Sequence, residues 1–217
     1  MAGLKNADHG GRKMENTKDI ILYKSLTLFS QKGYEGISMR DIAAAVGIKA
    51  SSLYNHFKSK EEIFDGIMTQ MSVQYEEAAQ KIQLPIGDIS SVADAYIHIT
   101  EENLIEIASG LFLYFLKDDF ASKFRRMLTM EQFRNEKAGL MFKKYLINGA
   151  IAYQGSLFSN MIKRGAFKNC DPHIMALHFY APIFLLLLEY DNEDEKESEA
   201  LDILAKHVRQ FSALYVK

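Results

Sequence analysis

The sequence predicts an all-α protein, with three short helices near the N-terminus followed by a larger helical domain. Two observations predict this class. Only three prolines, Pro85, Pro172 and Pro182, occur in 217 residues, and so few helix breakers favour long helices. Apolar residues recur three and four positions apart, the spacing of one helix face, and no stretch alternates like a half-buried strand. We therefore expect helices along most of the chain.

Three short helices are predicted in the N-terminal part, over residues 19–31, 39–45 and 50–57. Gly33 can take the left-handed conformation that ends the first helix. Ser38 and Asp41 form a capping box at the start of the second, because each side chain can bond the amide of the other residue. Gly47 then breaks the second helix, and the third helix follows directly after this turn.

A longer helix is predicted over residues 60–81, because residues 59–62 form a second capping box at its start. Residues 83–87 are the first clear break in the helical pattern, and they mark the predicted domain boundary. Beyond this break the pattern is helical again, and Asp171 with Pro172 provides one clear helix start. The helices predicted there cover residues 89–108, 110–117, 119–134, 136–164, 172–190 and 195–215.

Composition limits the class of protein. Hydrophobic residues make up 48% of the chain and charged residues 25%, a balance typical of a soluble globular protein. The single cysteine, Cys170, excludes an intramolecular disulfide and suits a reducing cytoplasm.

Residues 1–13 lack the apolar core of a signal peptide, so we expect a disordered leader, with order beginning near Met14. The most apolar stretch, residues 181–188, is too short to span a bilayer, and we expect a cytoplasmic protein without membrane contact.

The charge is distributed unevenly along the chain. Residues 1–60 contain ten Lys or Arg and five Asp or Glu, a net charge of +5. Residues 61–217 contain sixteen and twenty-three, a net charge of −7. This asymmetry indicates a basic N-terminal part that meets an anion and an acidic remainder that does not.

The two short helices on either side of Gly47 have the arrangement of a helix-turn-helix, braced by one helix before and one after. The second of them is about 12 Å long, and the major groove of B-DNA is about 12 Å wide. Once Leu53 and Phe57 point inward, the remaining side chains suit base edges and phosphates, because they are small, hydroxylic, cationic or amide-bearing. These candidate DNA contacts are Lys49, Ala50, Ser51, Ser52, Tyr54, Asn55 and His56.

A resemblance to a known family rests on residues between Ile21 and Phe64. The positions that carry it are Phe29, Gly33-Tyr34, Ile42-Ala43, Gly47, Leu53-Tyr54, His56-Phe57 and Ser59-Lys60-Glu61. In core, turn and exposed positions together, this region resembles the DNA-binding domain of the tetracycline-repressor (TetR) family. The resemblance implies a DNA-binding domain at 15–75, with its motif at about 38–57, and a helical domain at 88–217 that dimerises and binds a small inducer.

The resemblance also implies roles for single residues. By position, Tyr54, His56 and Lys60 are similar to the phosphate-contacting residues of the family. Ser38 and Arg40 stand where the first motif helix meets the DNA backbone. We therefore add Ser38, Arg40 and Lys60 to the candidate DNA contacts.

The base-reading end of the recognition helix corresponds to residues 49–52. Lys49 stands where many family members have a small hydroxylic N-cap, which leaves the first residue of this helix open by one position. Taken alone, Tyr54 could be a half-buried aromatic residue and His56 an ordinary surface residue. We interpret both as DNA contacts because of the motif that surrounds them.

The C-terminal part is rich in Met and aromatic residues, which fill bundle cores but also shape adaptable ligand cavities. A bundle core accounts for most of them. The resemblance implies that some line a pocket for a small apolar inducer. The candidate pocket residues are Tyr96, Phe112, Phe115, Phe124, Met127, Phe142, Tyr153 and Phe158.

Residues 184–188 are apolar on every side of their helix, whereas a peripheral helix of a monomer keeps a polar face. The last helix carries an apolar stripe to match. We predict that these two helices from each of two subunits form the interface of a homodimer. The candidate interface residues are Phe184, Leu187, Leu188, Leu201, Leu204, Val208 and Phe211.

The sequence contains no phosphate-binding loop, no dinucleotide fingerprint and no zinc-protease motif. Cys170, Asp171 and His173 are a weak metal set, because Asp171 is better used as an N-cap. We expect no enzymatic activity, no cofactor and no metal. The expected function is that of a transcription repressor, released from a palindromic DNA operator by a small apolar inducer. The alternative is a helical ligand-binding or protein-interaction protein with a non-functional helix-turn-helix.

Overall fold

A computed structural model describes residues 16–85 and 87–217 of the chain. In these residues an isolated bridge between Phe167 and Val216 is the one β-type pairing, so the predicted all-α class is confirmed. The predicted leader, residues 1–13, and the start of order near Met14 lie outside the described residues. The α-helices, α1 to α11 in chain order, are Thr17–Lys32, Met39–Val46, Ala50–His56, Lys60–Lys81, Ile89–Ile97, Glu101–Lys117, Asp119–Glu131, Glu136–Phe142, Gly149–Lys163, Pro172–Glu189 and Glu197–Tyr215.

The N-terminal helices begin and end where local sequence signals predict. At the start of α2, Asp41 N–H donates to the Ser38 hydroxyl (3.2 Å) and Ser38 N–H donates to the Asp41 carboxylate (2.8 Å). Gly33 ends α1 with a φ of 78°, and Gly47 ends α2 in the left-handed conformation, φ 79° and ψ 29°. The predicted capping box and the helix ends at both glycines are therefore confirmed, but the ψ of Gly33, 157°, lies outside the left-handed conformation predicted for it.

The second capping box is formed only in part. The Ser59 hydroxyl accepts the N–H of Glu62 at 3.1 Å, as predicted. The Glu62 carboxylate accepts from the N–H of Lys58 instead of Ser59. Helix α4 still begins at Lys60, with the Ser59 hydroxyl capping the N–H of Glu62 in its first turn.

The chain divides into two compact units, each made of two segments. The N-terminal unit contains the residues up to Glu76 together with Lys117–Phe142, and the C-terminal unit contains Glu77–Leu116 together with Lys143–Lys217. The domain limits expected from the sequence, 15–75 and 88–217, divide the chain only once. The return of residues 117–142 to the N-terminal unit depends on contacts about 100 residues apart, which local patterning does not encode.

In the N-terminal unit, α7 packs against α1. One face of α7 is apolar and buried, including Phe120, Phe124 and Met127. At its first turn Tyr23 of α1 donates a hydrogen bond to Asp119, and Lys123 Nζ lies 2.8 Å from Asp119 and 2.9 Å from the Tyr23 hydroxyl. Burial lowers the pKa of Lys123, but the hydrogen bonds to Asp119 and Tyr23, together with Coulombic attraction to the same two groups, outweigh burial and raise the pKa above its ordinary value of 10.5.

The C-terminal unit contains two apolar clusters. The first joins α5, α9, α10 and α11 and includes Val92, Phe158 and Phe211. The second joins α6, α10 and α11 and includes Phe112 and Leu204. Helices α10 and α11 therefore contribute buried faces to both clusters of their own unit.

Several helix boundaries in the C-terminal unit differ from the prediction. The predicted helix 89–108 is interrupted after Ile97, and α6 begins at Glu101. Gly110, where a new helix was predicted to begin, lies inside α6, and a Cβ there would approach Ile82 Cγ2 at 2.9 Å. The glycine therefore permits the close approach of the Ile82 side chain. The predicted helix 136–164 contains a π-helical segment, Lys143–Asn148, between α8 and α9.

The apolar part of helix α10 extends beyond residues 181–188, the apolar stretch identified in the sequence. Its eighteen residues, Pro172–Glu189, are long and apolar enough to cross a membrane by length and composition alone. This corrects the expectation that no stretch reaches that length. Mostly buried core helices of soluble proteins meet the same criterion, whereas 22% of α10 is buried inside the C-terminal unit, at Met175, Ala176, Leu186 and Leu187.

Candidate DNA-binding site

Helix α3 presents a polar face to solvent. Lys49 is its N-cap, with extended backbone and no capping side chain, so the recognition helix begins at Ala50. Leu53 is fully buried and Phe57 nearly so, as predicted. The remaining candidate residues lie on the outer side: Lys49, Ser51, Tyr54 and Asn55 are exposed, and Ala50, Ser52 and His56 are half-buried.

The N-terminus of α2 lies at the start of the same motif. Arg40 is exposed. The Ser38 hydroxyl donates to the Asp41 carboxylate at 2.6 Å and accepts the Asp41 N–H. Hydrogen bonds from the Ser38 side chain and backbone hold the pKa of Asp41 below its ordinary value of 3.8. The first role of Ser38 is therefore to cap α2, and a contact with a DNA phosphate would have to use the same hydroxyl.

Lys60 is more enclosed than a surface phosphate ligand. Its ammonium donates to the Tyr34 carbonyl at 2.7 Å and lies 4.1 Å above the centre of the Tyr34 ring. Its side chain is 21% exposed, and Glu35 lies 3.9 Å away. The ammonium has three donors, so one bond to the α1–α2 turn leaves capacity for a phosphate. Its predicted contact with DNA stays a prediction.

Lys58 is an exposed cation next to α3 that the sequence reasoning missed. It lies between α3 and α4, and its Nζ donates to the Tyr54 carbonyl at 3.2 Å. Lys18 of α1 is also exposed, with its ammonium 5.8 Å from the centre of the Phe57 ring. The sequence signal for Lys58 was its place in the basic stretch between Lys49 and Lys60.

The predicted pocket residues are distributed over several places. Phe124 and Met127 are buried in the N-terminal unit, and Phe142 is half-buried there. Tyr96 and Phe158 belong to the first apolar cluster of the C-terminal unit, whereas Phe112 and Phe115 belong to the second. Tyr153 is 43% exposed. The buried members therefore belong to separate cores of the individual units, and the assignment of the eight residues to one ligand pocket stays a prediction.

The predicted interface residues also need correction. Leu187, Leu204, Val208 and Phe211 are at most 5% exposed inside the C-terminal unit. A side chain enclosed by its own subunit cannot also face a partner, so these four are core residues. Leu188 is 44% exposed, and Phe184 and Leu201 are half-buried. The sequence did not separate these groups, because all of them are apolar.

The candidate metal set has a different use in the structure. Asp171 caps α10 by accepting the N–H groups of His173 (2.8 Å) and Ile174 (3.1 Å), as predicted. In the part of the chain that the structure describes, no group of three or more His, Cys, Asp or Glu side chains could hold a metal ion.

Comparison with known proteins identifies the motif. Residues 21–67 match the family model of bacterial regulatory proteins of the tetR family. A 48-residue stretch, 22% of this chain, is 52% identical to the HTH-type negative transcriptional regulator IcaR of the biofilm operon icaADBC in Staphylococcus aureus. This chain covers about a quarter of the length of that relative, 26%.

Solved structures share the fold over nearly the whole chain. A Mesorhizobium loti protein assigned to the TetR family of transcriptional regulators superposes with a TM-score of 0.66 at 22% identity, covering 93% of this chain and 97% of the other. AibR, solved with isovaleryl coenzyme A and operator DNA, gives a TM-score of 0.62 at 19% identity, covering 92% and 98%. At this identity the likeness shows the fold. The N-terminal segment at residues 21–67 is thus a TetR-family helix-turn-helix domain, carried on a TetR-like helical fold.

Proposed function

We propose that this protein is a sequence-specific DNA-binding transcription regulator that represses its target genes from a palindromic operator. The observation that carries the proposal is the exposed face of α3. Lys49, Ser51, Tyr54 and Asn55 are exposed there, while Leu53 anchors the opposite face in the core. A short helix with a polar outer face and a buried inner face is what a major groove admits. The role needs no catalytic residue and places the protein in the cytoplasm.

A binding assay tests the proposal directly. The full chain is titrated against duplex DNA from upstream of its own gene and against a shuffled duplex of equal length. We expect binding to the first that is about a thousandfold or more tighter, the lower end of the usual specific-to-nonspecific ratio. Equal affinity for both duplexes, together with no enrichment from a random DNA pool, would refute sequence-specific recognition.

The base-reading role of the α3 N-terminus is tested by selection from a random DNA pool. Replacement of Lys49, Ser51 or Ser52 by Ala should change the preferred operator bases, at about 1–3 kcal/mol for each lost base contact. Ser198, exposed on α11, provides the matched control, because Ser198→Ala removes a hydroxyl outside the motif. An unchanged consensus after all three replacements would rule out this role.

A homodimer is part of the proposal, with a corrected set of contact residues. The exposed residues of α10 that share one face are Ile174, His178, Ala181, Leu185 and Leu188, spaced four, three, four and three apart. Leu185 is 61% exposed. On α11 the exposed apolar residues Ile203 and Leu214 lie eleven positions apart, again on one helix face. Large exposed apolar stripes are typical of surfaces that a partner covers.

We also propose that a small apolar molecule releases the DNA by binding the C-terminal unit. The AibR complex with isovaleryl coenzyme A and operator DNA supports a ligand role for this type of fold. A ligand shifts the DNA affinity only by as much as it distinguishes the two states. A screen of small apolar compounds should therefore find one that raises both the unfolding temperature and the Kd for the operator.

The second candidate function is a helical ligand-binding or protein-interaction protein with a non-functional helix-turn-helix. Its supporting observation is that Lys60 and Ser38 are already engaged in bonds within the protein. This candidate predicts no preference among DNA sequences in the assay above. The exposed cations Lys49 and Lys58 favour DNA binding over it, because neither is enclosed by the fold.

A further inference from the structure

A carboxylate from α7 reaches into the turn that precedes the helix-turn-helix. Glu131, the last residue of α7, is 1% exposed. Its Oε1 accepts the backbone N–H of Tyr34 at 3.0 Å, although the two residues are 97 positions apart. Residues 117–142 therefore hold the α1–α2 turn through a specific charged hydrogen bond in addition to apolar packing.

Gly33 makes room for this contact. A Cβ at Gly33 would lie 2.7 Å from Oε1 of Glu131, closer than real Cβ atoms approach other atoms. The φ of Gly33 is 78°, a value that side chains disfavour. The positive φ therefore favours glycine at this position, and an added Cβ would in addition have to displace the end of the Glu131 side chain.

The same residue is held on its C-terminal side by α4. The Tyr34 carbonyl accepts from Lys60 Nζ at 2.7 Å. The Tyr34 ring packs edge-on against Phe29 and Phe64, with centroid distances of 5.2 and 5.5 Å. Glu131 thus binds the N–H of Tyr34 and Lys60 binds its carbonyl, so that α7 and α4 hold one residue between them.

Tyr34 also contacts the segment that leads into α2. The N–H of Ile37 donates to the Tyr34 carbonyl at 3.4 Å, and Ile37 is 3% exposed. Ser38, the cap of α2, follows directly. A displacement of Tyr34 would therefore move the N-terminus of α2, and with it the helix pair that carries the exposed residues of the motif.

Burying the Glu131 carboxylate in the core carries a cost in folding free energy. Its Oε2 is buried and has no hydrogen-bond partner among the described residues. A buried carboxylate with one oxygen unsatisfied costs free energy, and an apolar side chain of similar size often serves stability as well or better. The geometry therefore indicates that the group serves the placement of the turn.

We propose that Glu131 is a positioning residue for DNA binding. Its hydrogen bond to the Tyr34 N–H fixes the α1–α2 turn, and this turn holds α2 and α3 in the orientation that fits the DNA major groove. The inference rests on the DNA-binding function proposed above. Glu131→Gln keeps an acceptor at the same place, and Glu131→Met keeps the volume without an acceptor. The two variants therefore separate the hydrogen bond from packing.

The experiment measures the operator Kd, the unfolding temperature and the amide hydrogen exchange of Tyr34. We expect Glu131→Gln to bind within about threefold of wild type, and Glu131→Met to bind about tenfold more weakly while still folding. The Tyr34 amide should exchange faster only in Glu131→Met. Wild-type affinity in the Met variant, or an unchanged Tyr34 exchange rate, would overturn the proposal.

Gly33→Ala disturbs the same contact by adding a Cβ next to the Glu131 carboxylate. It is the second test variant, to be used if Glu131→Met does not fold. Gly165→Ala is its matched control, because Gly165 has a φ of 79° and nothing within 4 Å of an added Cβ. We expect Gly33→Ala to weaken operator binding and Gly165→Ala to leave it unchanged. Equal affinity in both variants would overturn the proposal. Failure of the DNA-binding function itself would appear in the wild type, before any variant is compared.

Discussion

Two lysines near the start of α4 show how neighbouring residues of one type acquire different roles. Lys58 is exposed, and its ammonium donates to a carbonyl near the end of α3. Lys60 is 21% exposed and is bound to the carbonyl and ring of Tyr34. Substitution of Lys58 should therefore affect DNA binding alone, whereas substitution of Lys60 should affect both DNA binding and the stability of the fold.

We predict that Lys58→Ala makes the salt dependence of operator binding shallower by about one unit of log Kd per log salt for each half-site, because one phosphate contact no longer releases a counterion. Its unfolding temperature should equal that of wild type. Lys60→Ala should lower both the affinity and the unfolding temperature. Fluorescence anisotropy at several salt concentrations, with thermal unfolding in parallel, measures both effects. An unchanged salt slope in Lys58→Ala would contradict the assignment.

At the scale of elements, helix ends and one irregular segment depend on identifiable atoms. The capping box of α2 uses Ser38 and Asp41, and the π-helical segment Lys143–Asn148 is followed by Gly149. A Cβ at Gly149 would overlap the Lys144 carbonyl oxygen. Each of these features can be tested by one substitution with a control in the same region.

The capping box should make stability depend on acid pH. The pKa of Asp41 in the folded protein lies below 3.8 because Ser38 bonds the carboxylate, so the stabilisation is present above the unfolded-state pKa. It is lost as the pH falls through the lowered value. The difference in urea midpoint between wild type and Asp41→Asn should therefore be constant near neutral pH and shrink below pH 3.8.

Ser38→Ala provides the control for this pH effect. The variant should lose about 1 kcal/mol, the usual value of an N-cap, and most of the pH-dependent difference should disappear in its background. A pH-dependent difference of full size in the Ser38→Ala background would show that Ser38 is not its cause.

Gly149→Ala, directly after the π-helical segment, should lower the free energy of unfolding. This is opposite to the usual effect, because replacing a glycine inside a helix by alanine usually raises that free energy by up to about 1 kcal/mol. The overlap with the Lys144 carbonyl forces the backbone to shift, and overpacking of this kind typically costs about 1–3 kcal/mol. Gly155, in the middle of α9, has its nearest neighbour, the Pro172 carbonyl oxygen, at 3.6 Å. Gly155→Ala should therefore stabilise. Thermal unfolding measures both variants, and a stabilising Gly149→Ala would contradict the steric argument.

At the scale of the whole molecule, self-association depends on which apolar residues the fold leaves outside. Leu185 and Leu187 lie two positions apart on α10, yet Leu185 is 61% exposed and Leu187 is 4% exposed. The same substitution at these two positions should therefore have different consequences. This pair provides a direct test of the proposed homodimer.

We predict that Leu185→Asp yields a folded monomer, because it places a charge in the proposed interface of about 2,000 Å² or more in total. Leu187→Asp should unfold the chain, because it buries an unpaired charge. Light scattering gives the mass and circular dichroism gives the helicity. The monomer should also lose the palindromic operator despite an intact motif. A wild-type monomer at micromolar concentration, or a dimeric Leu185→Asp, would contradict the proposed interface.

The sequence by itself determined the features whose causes lie within one or two turns of helix. The Ser38–Asp41 cap, the stop at Gly47 and the burial of Leu53 follow from residues at most four positions away, and so does the polar outer face of α3. Local hydrogen bonds and helical periodicity act over this range. The helix-turn-helix and the polar outer face of α3 could therefore be predicted from the sequence, whereas the exposed Lys58 and the enclosure of Lys60 by Tyr34 were not.

Only the tertiary structure decided what depends on partners far along the chain. It joined residues 117–142 to the N-terminal unit, aimed Glu131 at Tyr34, and separated the exposed Leu185 from the buried Leu187. In each case the residue type permits several environments, since a leucine suits a core or an interface and a glutamate suits water or a buried amide. The free energy that chooses among them comes from packing, which is set only when distant segments meet.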